Sequence, residues 1–184
     1  MKIEIRSKDL AIAEGYVNAV ERKSKPLRYF GKTFVEVVKQ GTFADAINEA
    51  DAAGEPIEML IDHNDDEKGA STIDGSLTLK EDNIGLYARA EVTNPAIIEE
   101  IRNKPPRGWS FGFVAKKDRF IKKEGNLEER VLEKIKLKEV SLLVGKYPAY
   151  TATSVEVRNE AVEVEYRCFE NIEFVDSVKE ADIE

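Results

Sequence analysis

A serine lies between two glycines and three aromatic rings in the stretch Arg107-Gly108-Trp109-Ser110-Phe111-Gly112-Phe113. Alternate residues of an extended chain point to opposite faces, so the three rings would share one face and Ser110 would lie on the other. We expect the aromatic face to be buried and the strand to continue to about Ile121. The pattern is typical of a hydroxyl that is held clear of the core, and Ser110 is therefore the candidate nucleophile.

Residues 108–112 also match G-x-S-x-G, the nucleophile elbow of α/β-hydrolases. That motif lies between a strand and a helix, and its acid and then its histidine follow the serine along the chain. Here the residues after Ser110 continue as a strand pattern, and the single histidine, His63, precedes the serine. The sequence therefore argues against an α/β-hydrolase, and the same chain order disfavours a small esterase.

Composition predicts one folded domain. Of the 184 residues, 42% are hydrophobic and 35% are charged, which is typical of a globular protein rather than a disordered one. The formal net charge of −8 argues against a general affinity for nucleic acid or anionic membranes, so we expect protein partners. The first residues carry charges at alternate positions, and no apolar run approaches the ~20 residues of a membrane span. We therefore expect a soluble, intracellular protein.

Short strand patterns dominate the chain, and two helical patterns interrupt them. The first helix is predicted at residues 43–50, with Thr42 in position to cap its N-terminus, and the second at residues 96–102. Polar loops are predicted at residues 64–70 and 116–130. These elements predict an α+β, mainly β fold, a barrel or a sandwich with a few peripheral helices. The strand patterns lie at residues 3–20, 34–38, 57–63, 76–79, 86–92, 108–121, 131–144 and 154–157.

The end of the chain differs in charge from the segment that carries Ser110. Residues 156–184 hold ten acids and three bases, a net charge of −7, whereas residues 102–123 hold eight bases and one acid, a net charge of +7. We expect a main domain over residues 1–157 and an acidic C-terminal extension, partly strand, over residues 158–184, with a regulatory or cleavable role. One hypothesis is that the basic segment attracts acidic scaffold or this extension itself.

Only His63 can act as the base for Ser110, because it is the single histidine. A serine hydroxyl is a poor nucleophile at neutral pH and needs an adjacent base. His63 follows an apolar run in the same phase as Met59 and Ile61, so the pattern predicts that it closes a core-facing row of a strand. An unperturbed imidazole titrates near ~6.5, so it accepts a proton at cellular pH.

Glu139 is the candidate for the third member of a triad. Within residues 131–144 it shares the parity of the apolar Leu137, while the lysines take the other parity. A carboxylate in a core-facing row needs a partner, and a histidine N–H is one that stabilises its charged form. The pattern suggests a triad in the chain order His63, Ser110, Glu139.

Other polar residues near these candidates leave alternatives open. Ser141 lies two residues after Glu139 on the same strand face, and we interpret it as supporting the site. If Glu139 is not the third member, Asp62 and Ser141 are the alternatives. Residues 62–66 offer metal ligands in a row, but adjacent residues of an extended chain point apart, and no second His or Cys completes a site. We expect no metal and no cofactor, and we interpret Cys168 as a buried small apolar residue.

Several short motifs occur along the chain in this order: Gly15-Tyr16, Gly41-Thr42-Phe43, Leu60-Ile61-Asp62-His63, Gly85-Leu86, Gly108-Trp109-Ser110-Phe111-Gly112-Phe113, Glu139-Val140-Ser141-Leu142 and Pro148-Ala149. Together they resemble the prohead proteases of tailed bacteriophages, over roughly residues 10–155. That family is similar in fold to the herpesvirus capsid maturation protease, so the resemblance implies an antiparallel β-barrel ringed by a few helices. The chain departs from the family at residues 144–147, where the family's connection is usually shorter and less charged, and this leaves the oxyanion-hole residues unassigned.

The resemblance implies a serine endopeptidase that is packaged inside the procapsid in the host cytoplasm. Such an enzyme removes scaffolding segments from capsid precursors and then cleaves itself. Carried over by motif, the nucleophile is Ser110, the base is His63 and the acid is Glu139. The herpesvirus enzymes use a second histidine as third member, which this sequence lacks, and this favours the carboxylate.

The implied partners are the precursor of the major capsid protein with its scaffolding segment, and a second copy of this chain, through self-cleavage or a homo-oligomer. No nucleic acid, membrane or cofactor is implied. The alternative is a non-enzymatic assembly protein that keeps the fold and only binds capsid precursors. Trapping of Ser110 by a serine-directed phosphonate distinguishes the two.

Overall fold

The computed structural model describes residues 1–24, 26–27, 32–122 and 127–144, together with the backbone of residues 28–29, 165–169 and 173–176. This part of the chain forms two β-sheets and two helices. The elements in chain order are β1 (Lys2–Ser7), β2 (Leu10–Ala19), β3 (Leu27–Tyr29), β4 (Lys32–Val38), α1 (Thr42–Ala53), β5 (Glu58–Ile61), β6 (Asn64–Ser71), β7 (Leu77–Glu81), β8 (Gly85–Val92), α2 (Pro95–Asn103), β9 (Trp109–Ile121), β10 (Glu128–Leu142), β11 (Glu165–Phe169) and β12 (Glu173–Asp176).

The first sheet has the strand order β12-β1-β2-β8-β7. Its neighbours are antiparallel except for β12, which runs parallel to β1. Alternate residues of β1, such as Ile3 and Ile5, are fully buried, as the period-2 pattern requires for a strand with one face on the core. The predicted strands at residues 3–20 and the predicted hairpin of β7 and β8 are confirmed.

The second sheet has the strand order β11-β9-β10-β4-β3, with β5 also paired to β10 and β6 paired to β5. The long strand β10 organises it. β9 runs antiparallel along one edge of β10, while β4 lies parallel to the first part of the other edge and β5 parallel to its end. The three strands β5, β10 and β9 therefore meet side by side at residues 139–142.

The aromatic face predicted for β9 is confirmed, since Trp109, Phe111 and Phe113 are all completely buried. Phe43 of α1 packs edge-on against Phe111, with 5.2 Å between the ring centroids. Full burial of each such ring stabilises the fold by about 1.5–3 kcal/mol. These contacts fix β9 against α1 through the face opposite to Ser110.

The helices lie close to their predicted positions, but the cap of α1 differs from the prediction. Thr42 is the first residue of α1, and Gly41, in the left-handed region at φ 90°, takes the cap position with no side-chain cap of its own. The Glu81 carboxylate of β7 accepts hydrogen bonds from Gly41 N and Ala44 N instead. The prediction of Thr42 as N-cap was wrong, because a carboxylate from another strand satisfies those N–H groups. For α2 the Asn94 side chain accepts from Ala96 N, as expected for an N-cap.

Two predicted loops are largely strand. Residues 64–70 belong to β6. β9 continues to Ile121 and β10 begins at Glu128, so most residues of the predicted loop at 116–130 lie in these two paired strands. Both loop predictions were based on polar side chains, but exposed edges and hairpin ends of antiparallel sheets also carry polar residues.

The mainly β, α+β fold class is confirmed. No strand pairing in the described residues closes either sheet into a barrel, so the barrel remains a prediction. The predicted strand at residues 154–157 lies outside the described residues.

Candidate active site

Ser110 and Ser141 lie opposite each other in the antiparallel pairing of β9 and β10. Directly opposed residues point to the same face of a sheet, with their Cα atoms about 4.5–5.5 Å apart. Both serines are buried, at 1% and 0% exposure. This face of the sheet, which we call the site face, therefore carries two hydroxyls side by side. The sequence predicted that the Ser110 hydroxyl is held clear of the core, but the residue is buried.

A β-bulge places Glu139 on this same face. Leu137 pairs with Phe113 and Glu139 pairs with Gly112, so two steps along β10 match one step along β9 and Lys138 is the extra residue. Leu137 consequently shares the aromatic face, and Glu139 lies on the opposite face. The prediction that Glu139 stays in phase with Leu137 was wrong, because strict alternation holds only where the ladder is regular.

His63 reaches the site through a turn in which two residues have left-handed backbone. Asp62 and His63 follow β5 with φ of 51° and 60°, a conformation uncommon for residues other than glycine. Asp62 N donates to Leu142 O at 2.9 Å, and the Asp62 carboxylate accepts from Val144 N at 2.9 Å. These bonds hold the turn against the end of β10.

The same turn ends the alternation of β5. Met59 and Ile61 keep the core face, but the left-handed backbone redirects His63 to the side where Glu139 lies. The prediction that the His63 side chain continues the core-facing row of Met59 and Ile61 was therefore wrong, because the side chain points to the side of Glu139 instead. Stored backbone strain of this kind is found where the surrounding structure over-determines it, often at functional sites.

Glu139 is hydrogen-bonded to both neighbours through its two oxygens. His63 Nδ1 lies 2.9 Å from Glu139 Oε1, and the Ser141 hydroxyl donates to Glu139 Oε2 at 2.6 Å. Ser141 Oγ also accepts from the backbone N–H of His63 at 3.1 Å. A neutral imidazole that donates from Nδ1 to a carboxylate presents Nε2 as its acceptor. The arrangement can thus hold an imidazole in the tautomer that a general base requires.

Ser110 joins this group by backbone pairing. Within the described residues no hydrogen bond connects its hydroxyl to His63, and such bonds often form only when substrate is bound. On the other edge of β9 the backbone of β11 sets Cys168 opposite Ser110. The prediction for the Cys168 side chain lies outside what the structure describes.

Two functional features escaped the sequence prediction. The bulge at Lys138 and the left-handed turn at Asp62 and His63 bring the side chains together, yet neither has glycine or proline to mark it. Asp62, considered as an alternative third member, instead binds Val144 N through its carboxylate. The one signal in the sequence for either feature is the position of the Glu139 carboxylate in a row of apolar residues, which is unusual for a regular strand.

The basic segment, residues 102–123, is partly balanced by acids elsewhere in the chain. Lys116 pairs with Glu49 at 3.0 Å, and both Lys117 and Arg119 pair with Glu133 at 2.7 Å. The side-chain hydrogen bonds from Lys117 and Arg119 hold the pKa of Glu133 below its usual value. The net charge of residues 102–123 therefore overstates the positive field that reaches a partner.

Within the part of the chain that the structure describes, no group of three or more His, Cys, Asp or Glu side chains could hold a metal ion. Over the same ranges no helix combines the length and the apolar character needed to cross a membrane.

Comparison with known proteins identifies the family. No curated protein and no solved structure gives a significant match. The model of the caudovirus prohead serine protease family matches residues 1–166, most of the 184-residue chain. That family acts as serine proteases in capsid maturation, on capsid precursor proteins. The sequence resemblance is thereby confirmed, and the chain belongs to the caudovirus prohead serine proteases.

Proposed function

We propose that this chain is a serine endopeptidase that cuts the scaffolding segments of capsid precursors, with Ser110 as nucleophile, His63 as general base and Glu139 as third member. The observation that carries the proposal is the 2.9 Å contact between His63 Nδ1 and Glu139 Oε1 on the face that Ser110 shares. Family membership supports the reaction class, and the geometry supports the assignment of roles.

In the acylation step, Ser110 Oγ forms a bond to the scissile carbonyl carbon while its proton passes to His63 Nε2. The tetrahedral intermediate then expels the amine, which takes that proton as the C–N bond breaks. Water repeats the sequence on the acyl-enzyme and releases the second product. Glu139 holds the imidazole through Nδ1 and offsets the positive charge that the ring acquires.

Ser141 has a positioning role in this proposal. Its hydroxyl satisfies the second oxygen of Glu139 and accepts from the His63 backbone, so it links the acid to the turn that carries the base. Both Glu139 and Ser141 are nearly inaccessible to water, and hydrogen bonds made in such surroundings fix side-chain orientation well.

The remaining parts of the proposal concern the whole chain. The main domain spans residues 1–157 and closes as a β-barrel ringed by the helices. Residues 158–184 form an acidic extension that regulates the enzyme or is removed by self-cleavage. The partners are the major capsid protein precursor, its scaffolding segment and a second copy of this chain, inside the procapsid in the host cytoplasm.

The experiment is co-expression of the chain with its capsid precursor, comparing wild type with Ser110→Ala. We expect the wild type to shorten the precursor and the variant to leave it intact while binding it as well as before. A Ser110→Ala variant that still processes the precursor contradicts the nucleophile assignment. A wild type that binds the precursor without cutting it supports the non-enzymatic alternative instead.

A further inference from the structure

A basic cleft lies beside the candidate active site, between the end of α2 and the ends of β9 and β10. Its volume is about 440 Å³, and it is lined by Lys104, Pro105, Arg107 and Val144. Of the described residues that line it, two are cationic and two are apolar. We call this feature the basic cleft.

Backbone hydrogen bonds tie the basic cleft to the strand that carries Ser110. Arg107 N donates to Leu143 O at 2.8 Å and Leu143 N donates to Gly108 O at 3.0 Å, so the β9–β10 ladder continues into the cleft wall. Arg107 precedes Ser110 by three residues, which is roughly 10 Å along an extended chain. An extended peptide covers that distance with about three residues.

A second tie runs from the cleft to the base. Val144 N donates to the Asp62 carboxylate, and Asp62 directly precedes His63. The cleft wall and the base therefore rest on one hydrogen-bonded turn.

The charge of Lys104 in the cleft differs from the charges on β9 in its pairing. Lys117 and Arg119 on β9 are committed to Glu133, whereas Lys104 has no ion-pair partner among the residues that the structure describes. Burial raises the pKa of Glu100, one helical turn earlier on α2, and the charge of Lys104 offsets only part of that shift. The second cation of the cleft, Arg107, is the basic residue closest to Ser110 along the chain.

We propose that the basic cleft binds an acidic side chain of the peptide substrate, an aspartate or a glutamate, within about three residues of the bond that Ser110 cuts. Arginine and lysine bind carboxylates by charge-assisted hydrogen bonds, and the guanidinium presents five donors. Pro105 and Val144 line the same space and contact the methylene groups of the incoming side chain. This inference rests on the proposed function, of which it defines the specificity.

The first test profiles cleavage sites in a peptide library by mass spectrometry. Wild type should enrich Asp or Glu at one of the three positions on one side of the cut bond. The Lys104→Glu/Arg107→Glu variant should lose that preference and favour Lys or Arg there, and Lys104→Gln/Arg107→Gln should lose it without reversal. Lys122→Glu, a control at a side chain that is 89% exposed, should keep the wild-type profile.

The second test measures binding and does not require cleavage. Labelled Ser110→Ala protein is titrated by NMR with two capped tetrapeptides, Ala-Ala-Glu-Ala and Ala-Ala-Gln-Ala. We expect the glutamate peptide to bind about two- to fivefold more tightly and to shift the amide signals of Lys104, Arg107 and Val144.

The outcomes separate the two claims. Equal binding of the two peptides, or a cleavage profile that charge reversal leaves unchanged, overturns the cleft inference. A glutamate preference in binding with no cleavage by wild type supports the cleft and contradicts the endopeptidase proposal.

Discussion

His63 Nδ1 and Glu139 Oε1 lie 2.9 Å apart, although 76 residues separate them along the chain. The contact exists because β5 and β10 run parallel with Ile61 beside Leu142, and the turn after β5 returns His63 towards the middle of the site. A carboxylate that is nearly buried and a histidine ring are thereby held in register.

Glu139→Gln keeps the shape of the side chain and removes its charge. An amide that donates to Nδ1 favours the tautomer with the proton on Nε2, which then cannot accept from Ser110. We expect kcat to fall by about 10²- to 10⁴-fold with little change in KM, measured on a peptide substrate. Glu133→Gln on the same strand, which breaks only exposed ion pairs, should retain the wild-type rate. Equal rates for wild type and Glu139→Gln would place the third member elsewhere.

Ser141→Ala tests the positioning role. Loss of a hydrogen bond to a charged group costs about 1.5–3 kcal/mol, so we expect kcat to fall roughly 10- to 100-fold while Ser110 stays open to phosphonate labelling. Thermal unfolding distinguishes this from a general loss of structure. Complete loss of labelling in a folded Ser141→Ala protein would instead indicate that Ser141 is itself the nucleophile.

The bulge at Lys138 gives a test of register. Lys138→Ala keeps the extra residue, and we expect activity within about twofold of wild type because the side chain is exposed. Deletion of Lys138 makes the ladder regular but leaves Leu137 opposite Phe113 and Glu139 opposite Gly112, so Glu139 stays on the site face. We therefore expect the deletion variant to stay folded and to retain activity on a peptide substrate. A folded deletion variant that has lost all activity would contradict this account of the register.

Truncation after residue 157 tests the acidic extension. The backbone of β11 lies beside β9 with Cys168 opposite Ser110, so its removal frees that edge of the strand. We expect the truncated chain to be labelled faster at Ser110 and to show a weaker dependence on salt. Near-UV circular dichroism checks that Trp109 remains packed. Identical labelling rates and salt dependence in the two proteins would remove the regulatory role.

The sequence predicted those parts of the fold that depend on regular alternation. The aromatic face of β9, the two helices and most strands follow from period-2 and helical patterns, and the structure confirms them. The three candidate residues were found by chemistry and by family resemblance, since Ser110 needs a base and His63 is the only histidine.

What the sequence could not predict are the local departures from alternation. A strict pattern placed Glu139 with Leu137 and His63 with Ile61, and both assignments to the core face were wrong. The extra residue Lys138 and the left-handed turn are set by pairing between distant strands, so no short-range signal encodes them. The two errors have a common result, because both residues leave the core face and meet on the other side.

The most direct measurement is peptide mapping of the protein after reaction with a fluorophosphonate. The account predicts one adduct, on Ser110, which forms at a rate that falls sharply in His63→Ala and disappears in Ser110→Ala. An adduct on Ser141, or no adduct in a protein that still cuts its capsid precursor, would contradict it.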